Sequence, residues 1–370
     1  MICMTKVLFI RSSAKPARVV KEAISLRNAG YEVEILFWDR SGNEARIEDH
    51  HDISTKYFEL KAPYGKLRLF PYLLAWWVYE FIYLLKSDAD IFHACCFDTV
   101  MPAIIVKLLK GKKLVYDIFD FYAEALPQGI PGWLSRIIAG FERYCIRFAD
   151  AVIIVDESRR VQIKGSKIKK LEIVMNCPEM VSEYKIGPKD TKFIIFYGGM
   201  ISKTRGLSQI ISAIDGETDM VLMVAGLGED EDYYTPVFKD TENVHFQGWI
   251  DYETYIQQTL GADVIFGFYD PRIPNNRLAS PNKLFEAMMC ATPIIVNKET
   301  TMAALVEEEN CGVVVPYFDV DALKAALKRL KNDPSLGIRL GQNGRLAFEN
   351  KYNWQIMENR LINLYNELNG

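Results

Sequence analysis

At 370 residues, the chain has room for two to three domains of roughly 150 residues each, which excludes a single small module. Its 49% hydrophobic and 25% charged residues are ordinary globular proportions and exclude a disordered or fibrous chain. With 44 Lys and Arg against 48 Asp and Glu, the formal charge is −4, so whole-surface attraction to nucleic acid is excluded and any phosphate site must be a local cluster of cations or backbone amides.

The first apolar run, Val7 to Ile10, is too short for a signal peptide. Seven cysteines without a Cys-x-x-Cys pair read as reduced thiols of a cytosolic chain, not a zinc knuckle. Short β-branched runs alternate with longer segments of helical period: KVLFI from residue 6, a helix over 16–29 stopped at Ala29, Gly30 and Tyr31, then VEILF from residue 33. That is the βαβ rhythm of a parallel sheet. Leu69 to Tyr79 is an apolar stretch of 11 residues ahead of Glu80, whereas a membrane span needs ~20. It can touch a bilayer without crossing it, and Trp76 and Trp77, with Lys61, Lys66 and Arg68 upstream, suit the headgroup boundary. Burial against the first sheet is the competing reading.

The rhythm continues through IFHACC (91–96), KLVYD (113–117) and AVIIV (151–155), with helices expected around 71–86, 99–109 and 133–148. It stalls over 178–190, where Pro178, Gly187, Pro188, Lys189 and Asp190 predict a linker. A second set of strands follows: FIIFY (193–197), VLMVA (221–225), VHF (244–246), VIFGF (264–268), PIIV (293–296) and VVV (313–315). The expectation is two α/β, Rossmann-like, doubly wound domains facing across a cleft, over 1–188 and 189–350. The apolar positions of 351–370 form one more helix, which needs a surface to cover, expected on the first domain.

Several familiar chemistries are absent. The turn after the first strand, Arg11 to Pro16, lacks Gly-x-Gly-x-x-Gly, which makes a nicotinamide or flavin cofactor improbable. Gly198 to Thr204 carries Lys203 where a P-loop needs glycine. His50, His51, His93 and His245 do not pair at helical ligand spacing, so no metal site is expected. Asp88 and Asp90 form an Asp-x-Asp, but ahead of a strand and away from the carboxyl strand ends where ligands gather; they read as a solvated turn. His93 reads as packed within its strand.

The most informative stretch is 279–295. Ser280 is a natural N-cap and Pro281 a natural first helical residue, so a helix begins here with amides available to an anion. Lys283 adds a mobile cation, and Glu286, three residues on, can accept from vicinal hydroxyls such as a ribose's. A capped surface helix with a Lys283 to Glu286 ion pair fits the spacing equally. Tyr197 to Leu207 closes a strand with Gly198 and Gly199 and supplies Lys203 and Arg205; the glycines permit close phosphate approach or simply a turn.

Together these residues resemble a GT-B-fold glycosyltransferase of family 4 over essentially the whole chain. The carriers are Arg205-Gly206, the Ala-Gly-x-Gly of 225–228, the Phe-Gln-Gly of 246–248, the Pro-x-Lys-x-x-Glu-Ala-Met of 281–288, and Thr292-Pro293. The resemblance implies retaining transfer from a nucleoside diphosphate sugar, with no metal or cofactor required. It implies a donor site at Gly198, Gly199, Arg205, Ser280, Asn282, Lys283 and Glu286, with Glu286 on the ribose and Arg205 on the diphosphate, and an acceptor-side loop at Ser12 and Ser13. Two positions depart from the usual pattern. Leu278 stands where the first glutamate of Glu-x7-Glu belongs, so the chain resembles the branch with Ser-Pro-x-Lys-x-x-Glu. Phe119 replaces a histidine, while Asp120 and Glu124 resemble that branch's Asp-x-x-x-Glu and make Asp120 the candidate catalytic carboxylate. The acceptor implied is a glycan or lipid-linked saccharide, met in the cytoplasm or at the inner face of the cell membrane. A nucleotide-sugar 2-epimerase and a non-catalytic nucleotide-sugar-binding subunit are the alternatives.

Overall fold

The computed structural model describes residues 4–13, 17–41, 53–63, 69–124, 130–180, 192–280 and 282–370. Pro281, Lys66, Arg68, His50, His51 and the expected linker residues Gly187 to Asp190 lie outside them. The chain divides into two compact units, Met1–Met175 with Met357–Gly370, and Asn176–Ile356.

The first unit is built on seven parallel strands, β1 (Lys6–Arg11), β2 (Glu32–Asp39), β3 (Ser54–Glu59), β4 (Ile91–Cys95), β5 (Lys113–Ile118), β6 (Ala151–Ile154) and β7 (Leu171–Ile173), in the order β3-β2-β1-β4-β5-β6-β7. Its central strands read as continuous apolar runs because a parallel sheet is covered on both faces. Leu8, Ile10, Leu36, Trp38 and Phe92 point to one core, against helices Phe70–Lys86, Phe97–Lys110 and Gly132–Ile146. β3 and β7 were not foreseen. β3 reads STKYFE with no fully buried position, and β7 has three half-buried residues, so neither edge strand carries a strong apolar signature.

The opposite face holds a buried polar cluster. His93, fully buried, meets the Tyr365 hydroxyl at 2.6 Å and Asp117 at 3.3 Å. Arg18 forms an ion pair with Glu22 at 2.9 Å and donates to Asp117 at 3.4 Å. Tyr365 comes from the last helix, Trp354–Asn369, whose Leu361, Leu364 and Tyr365 are buried. His93, Cys95 and Asp117 place one potential metal-ligand atom each within 4.8 Å of one another. The Arg18 guanidinium already supplies the positive charge beside those groups.

The second unit carries six parallel strands, β8 (Phe193–Gly198), β9 (Met220–Ala225), β10 (Val244–Phe246), β11 (Val264–Gly267), β12 (Ile294–Asn297) and β13 (Gly312–Val315), ordered β10-β9-β8-β11-β12-β13. Strand order reverses between β8 and β11, as it does between β1 and β4 in the first sheet. Among the described residues no helix is long and apolar enough to cross a membrane.

Candidate functional site

In doubly wound sheets, ligands gather beyond the carboxyl ends of strands where the order reverses, which in the second unit is beside β8 and β11. Three successive strand ends are knitted into one ledge there. Gly199 N donates to Ala225 O at 2.9 Å, Ile201 N to Leu227 O at 3.0 Å, and Gly226 N to Gly248 O at 2.7 Å. The approach is close enough that only glycine fits: a Cβ on Gly226 would stand 1.8 Å from the Gly199 carbonyl oxygen, and Gly226 has φ of +133°.

From this ledge the chain turns through Lys203–Arg205, started by Ser202, whose hydroxyl accepts from Thr204 N at 3.3 Å, and ended by Gly206 at φ 70°. The turn delivers Arg205 over the ring of Tyr269, with 4.0 Å from the guanidinium carbon to the ring centroid, and its Nη1 donates to Asn276 Oδ1 at 2.9 Å. Asn276 is itself held by its Nδ2 donating to Asp270 O at 3.1 Å. Lys203 is turned elsewhere, with its ammonium over Tyr233.

The other cation comes from the helix Asn282–Met289, in which Lys283 to Met289 are all buried. That overturns the surface-helix reading and the mobile lysine alike. The Lys283 ammonium lies 4.1 Å from the Tyr197 ring centroid and 6.0 Å from that of Tyr269, so the two cations share an aromatic floor. A Cβ on Gly199 would stand 3.5 Å from the ammonium, so the glycine ledge borders it. Burial and the neighbouring Arg205 charge push the Lys283 pKa down to about 7, with Glu286 opposing.

Glu286 is buried and hydrogen-bonds the Tyr255 side chain, whose phenol is pushed well up by burial and by that carboxylate. Tyr255 also stops against Gly198, where an added Cβ would meet its ring at 2.3 Å. Asn282 accepts from Asn176 Nδ2 at 2.8 Å. The capping bond expected of Ser280 is not made. Among the described residues its Oγ is buried without a hydrogen-bond partner, as is Asn275 Oδ1, and such unpaired buried atoms call for an explanation in a ligand or water.

In the first unit, the β1 carboxyl end leads to Ser12, whose hydroxyl bonds Asp98 and accepts from Arg40 Nη2 at 3.0 Å. Ser13 follows, half-buried. Asp120, two residues past β5, has 49% of its side chain exposed and accepts from Arg159 Nη2 at 3.1 Å. Glu124 is bonded by Gln162 at 2.7 Å. Phe119 lies between two guanidiniums, Arg11 at 4.5 Å and Arg18 at 4.9 Å from its ring centroid.

Gly198, Gly199, Arg205, Lys283 and Glu286 thus converge within the second unit, while Ser12, Ser13 and Asp120 stand in the first. Sequence reasoning missed Tyr197, Tyr255, Tyr269 and Asn276. Tyr197 and Tyr269 sit just at or beyond strand carboxyl ends, and that position beside a reversal of strand order is the signal that finds them.

A family model described as glycosyl transferases group 1 matches residues 182–347. A glycosyl transferase 4-like domain model matches residues 17–177. The chain belongs to the group 1 glycosyl transferases. Among curated relatives, this group 1 glycosyl transferase is 28% identical over 209 residues to the GDP-mannose-dependent monoacylated alpha-(1-6)-phosphatidylinositol monomannoside mannosyltransferase of Corynebacterium glutamicum, covering 54% of each chain. It is 27% identical over 191 residues to a capsular polysaccharide biosynthesis glycosyltransferase of Staphylococcus aureus, covering 47% of this chain and 46% of the relative. The chain spans about half the length of the curated relatives it matches. Among solved structures, sucrose-phosphate synthase from Thermosynechococcus elongatus shares the fold with TM-score 0.79 at 18% identity, over 98% of this chain and 99% of that one. The Anabaena protein HepE in complex with UDP does so with TM-score 0.74 at 14% identity, over 98% and 100%. Two parallel-sheet α/β units in a GT-B glycosyltransferase fold are the architecture of this group 1 glycosyl transferase.

Proposed function

We propose that the chain is a retaining glycosyltransferase that moves a sugar from a nucleoside diphosphate sugar to a glycan or lipid-linked acceptor. One observation carries the reading: Arg205 and Lys283, two cations without an ion-pair partner among the described residues, share the Tyr197 and Tyr269 floor beside the glycine ledge. Two fixed cations and a ledge open to close approach suit a diphosphate, whose growing charge on departure they stabilise without reorganising. Glu286, one turn from Lys283, is the acceptor for ribose hydroxyls. Ser280 Oγ and the start of the Asn282–Met289 helix add donors. The UDP and UDP-glucose held by fold neighbours, and the GDP-mannose dependence of a relative, support a nucleotide donor.

On the acceptor side we assign Ser12 and Ser13 to the loop and Asp120 to the carboxylate that orients or deprotonates the acceptor hydroxyl. Its Arg159 partner, donating at 3.1 Å, keeps it aimed. We read no metal or cofactor into the reaction. A thermal-shift screen of nucleoside diphosphates and nucleotide-sugars tests the donor assignment, because a ligand at 100 times its Kd adds ~2.7 kcal/mol. Sugar released without any acceptor would favour an epimerase; donor binding without turnover across an acceptor panel would favour a binding subunit.

A further inference from the structure

Three neighbouring helices of the first unit leave an apolar outer face. On Phe70–Lys86, whose Leu73, Trp76 and Leu84 enter the core, the outward stripe is Phe70, Leu74, Val78, Ile82 and Leu85. Beside it, Phe97–Lys110 turns out Ile105, Leu108 and Leu109. Gly132–Ile146 adds Trp133, Ile137, Phe141 and Tyr144. These twelve side chains are 38% to 65% exposed. The helices are joined: Lys110 Nζ donates to Leu85 O at 3.0 Å, the rings of Phe97 and Phe141 meet at 5.9 Å, and the Cys145 thiol reaches Met101. Contiguous exposed apolar surface of this kind marks an interaction site.

Charge identifies the occupant. The carboxylates of these helices, Glu80, Asp98 and Glu142, are all turned inward, and the charged residues at exposed positions are Lys86, Lys110 and Arg136. A two-fold contact with a second copy would set these cations against their own copies with no carboxylate of the three helices facing them. An anionic bilayer supplies the counter-charge, takes up the aliphatic stripe, and favours tryptophan and tyrosine at its boundary. We propose that the outer face of these three helices docks on the surface of an anionic lipid bilayer. Trp76 and Trp77 are not the anchors: Trp76 is fully buried and stacked on Trp38 at 5.8 Å, and Trp77 Nε1 donates to Asp98 O at 2.9 Å. A helix crossing between parallel strands runs opposite to them, so Phe70 and Trp133, at helix starts, stand toward the carboxyl edge that carries Ser12 and Asp120. If the acceptor-side reading holds, a lipid-linked acceptor meets that edge from the bilayer.

Flotation of the full chain with vesicles of phosphatidylcholine and phosphatidylglycerol tests the docking. The chain floats with them, floats less with phosphatidylcholine alone, and loses binding as salt rises. The triple variant Leu74→Glu, Val78→Glu and Ile137→Glu, all at exposed positions, binds at least about tenfold more weakly, with unchanged melting and an unchanged thermal shift from donor. Brominated lipid quenches the fluorescence of the wild-type chain, and the quenching goes with Trp133→Phe and stays with Trp249→Phe; this arm needs no charge insertion. Wild-type protein that never floats, a triple variant that floats equally, or a dimer that the triple variant dissolves without any lipid binding would each overturn the proposal. Donor binding retained in any of these cases separates its failure from that of the proposed reaction.

Discussion

The ammonium of Lys283 rests 4.1 Å from the centroid of the Tyr197 ring, buried and without a carboxylate in ion-pair contact among the described residues. An aromatic face steadies a cation but does not replace its water, so the site stores an unmet demand for negative charge. A diphosphate would meet it.

The pH dependence of donor binding follows. With its pKa pushed down to about 7, Lys283 is largely neutral in the empty protein above neutrality and must take up a proton when a diphosphate arrives. Affinity for a nucleotide-sugar, whose diphosphate does not titrate near 7, therefore falls as pH rises from 7 to 9, by up to about tenfold per pH unit. Calorimetry in buffers of different ionisation enthalpy reads the proton directly. Lys283→Arg flattens the profile; an equally steep profile in that variant contradicts the assignment.

The same group costs stability. Its folded pKa lies below the unfolded value of 10.5, so the folded chain binds fewer protons between about pH 7 and 10.5. The penalty is full below about 7 and fades as pH rises to the unfolded value. Lys283→Met should raise the apo melting temperature at pH 7, with a gain on the order of 4 kcal/mol as the ceiling, while donor binding is lost. A variant that melts lower than wild type would show that the ammonium is better satisfied than its surroundings indicate.

Arg205→Ala removes one charge-assisted contact to the diphosphate and should weaken binding by about 1.5 to 3 kcal/mol, roughly ten- to a hundredfold. Glu286→Gln keeps the shape beside Tyr255, so the apo melting point should barely move while donor affinity falls. Titrations of both variants with the same nucleoside diphosphate decide the matter: undiminished affinity in Arg205→Ala would remove the phosphate site, and a large apo destabilisation with normal binding would make Glu286 a structural residue.

Gly226→Ala tests the ledge. The added methyl would stand 1.8 Å from a backbone oxygen at a φ of +133°, so the strand ends must part. Loss of donor binding by more than about tenfold, with a lowered melting temperature, is the expected result, at a cost of several kcal/mol. Tight binding in this variant would mean that the ledge does not touch the donor.

The polar cluster beneath the first sheet makes a separate prediction for stability. Arg18→Leu strands Asp117 and Glu22 without their cation and should cost about 3 to 5 kcal/mol, whereas Tyr365→Phe removes one bond to His93 and should cost about 1 to 3 kcal/mol. Burial lowers the His93 pKa against the pull of Asp117, so its contribution is present above the unfolded value of 6.5 and is lost as pH falls below it. Chemical denaturation at pH 5 and pH 7.5 measures all three; an Arg18→Leu protein as stable as wild type would contradict the ion-pair assignment.

The parts of this molecule that were legible in the sequence share a physical cause. Central parallel strands such as AVII in β6 are buried on both faces and so appear as apolar runs, and the glycines of 198–199 and 226 stand out because no other residue fits. The edge strand Ser54–Glu59 was invisible because half-burial leaves a mixed pattern. Lys283 was legible as a cation but not as a buried one, since its cover comes from Tyr197 and Tyr269, distant in sequence. Trp76 misled for the related reason that an all-apolar helix does not announce which stripe faces the sheet.

The division of the chain has a consequence for synthesis. Tyr365, which closes the Arg18, Asp117 and His93 cluster, is translated only after the whole of the second unit, so the first unit waits on the ribosome with that cluster uncovered. Its sheet can pair early, but the buried charges reach their final surroundings last. A nascent chain of this design has a long interval in which a helper that shields the open face, or slow translation of the second unit, decides how much protein survives to be folded.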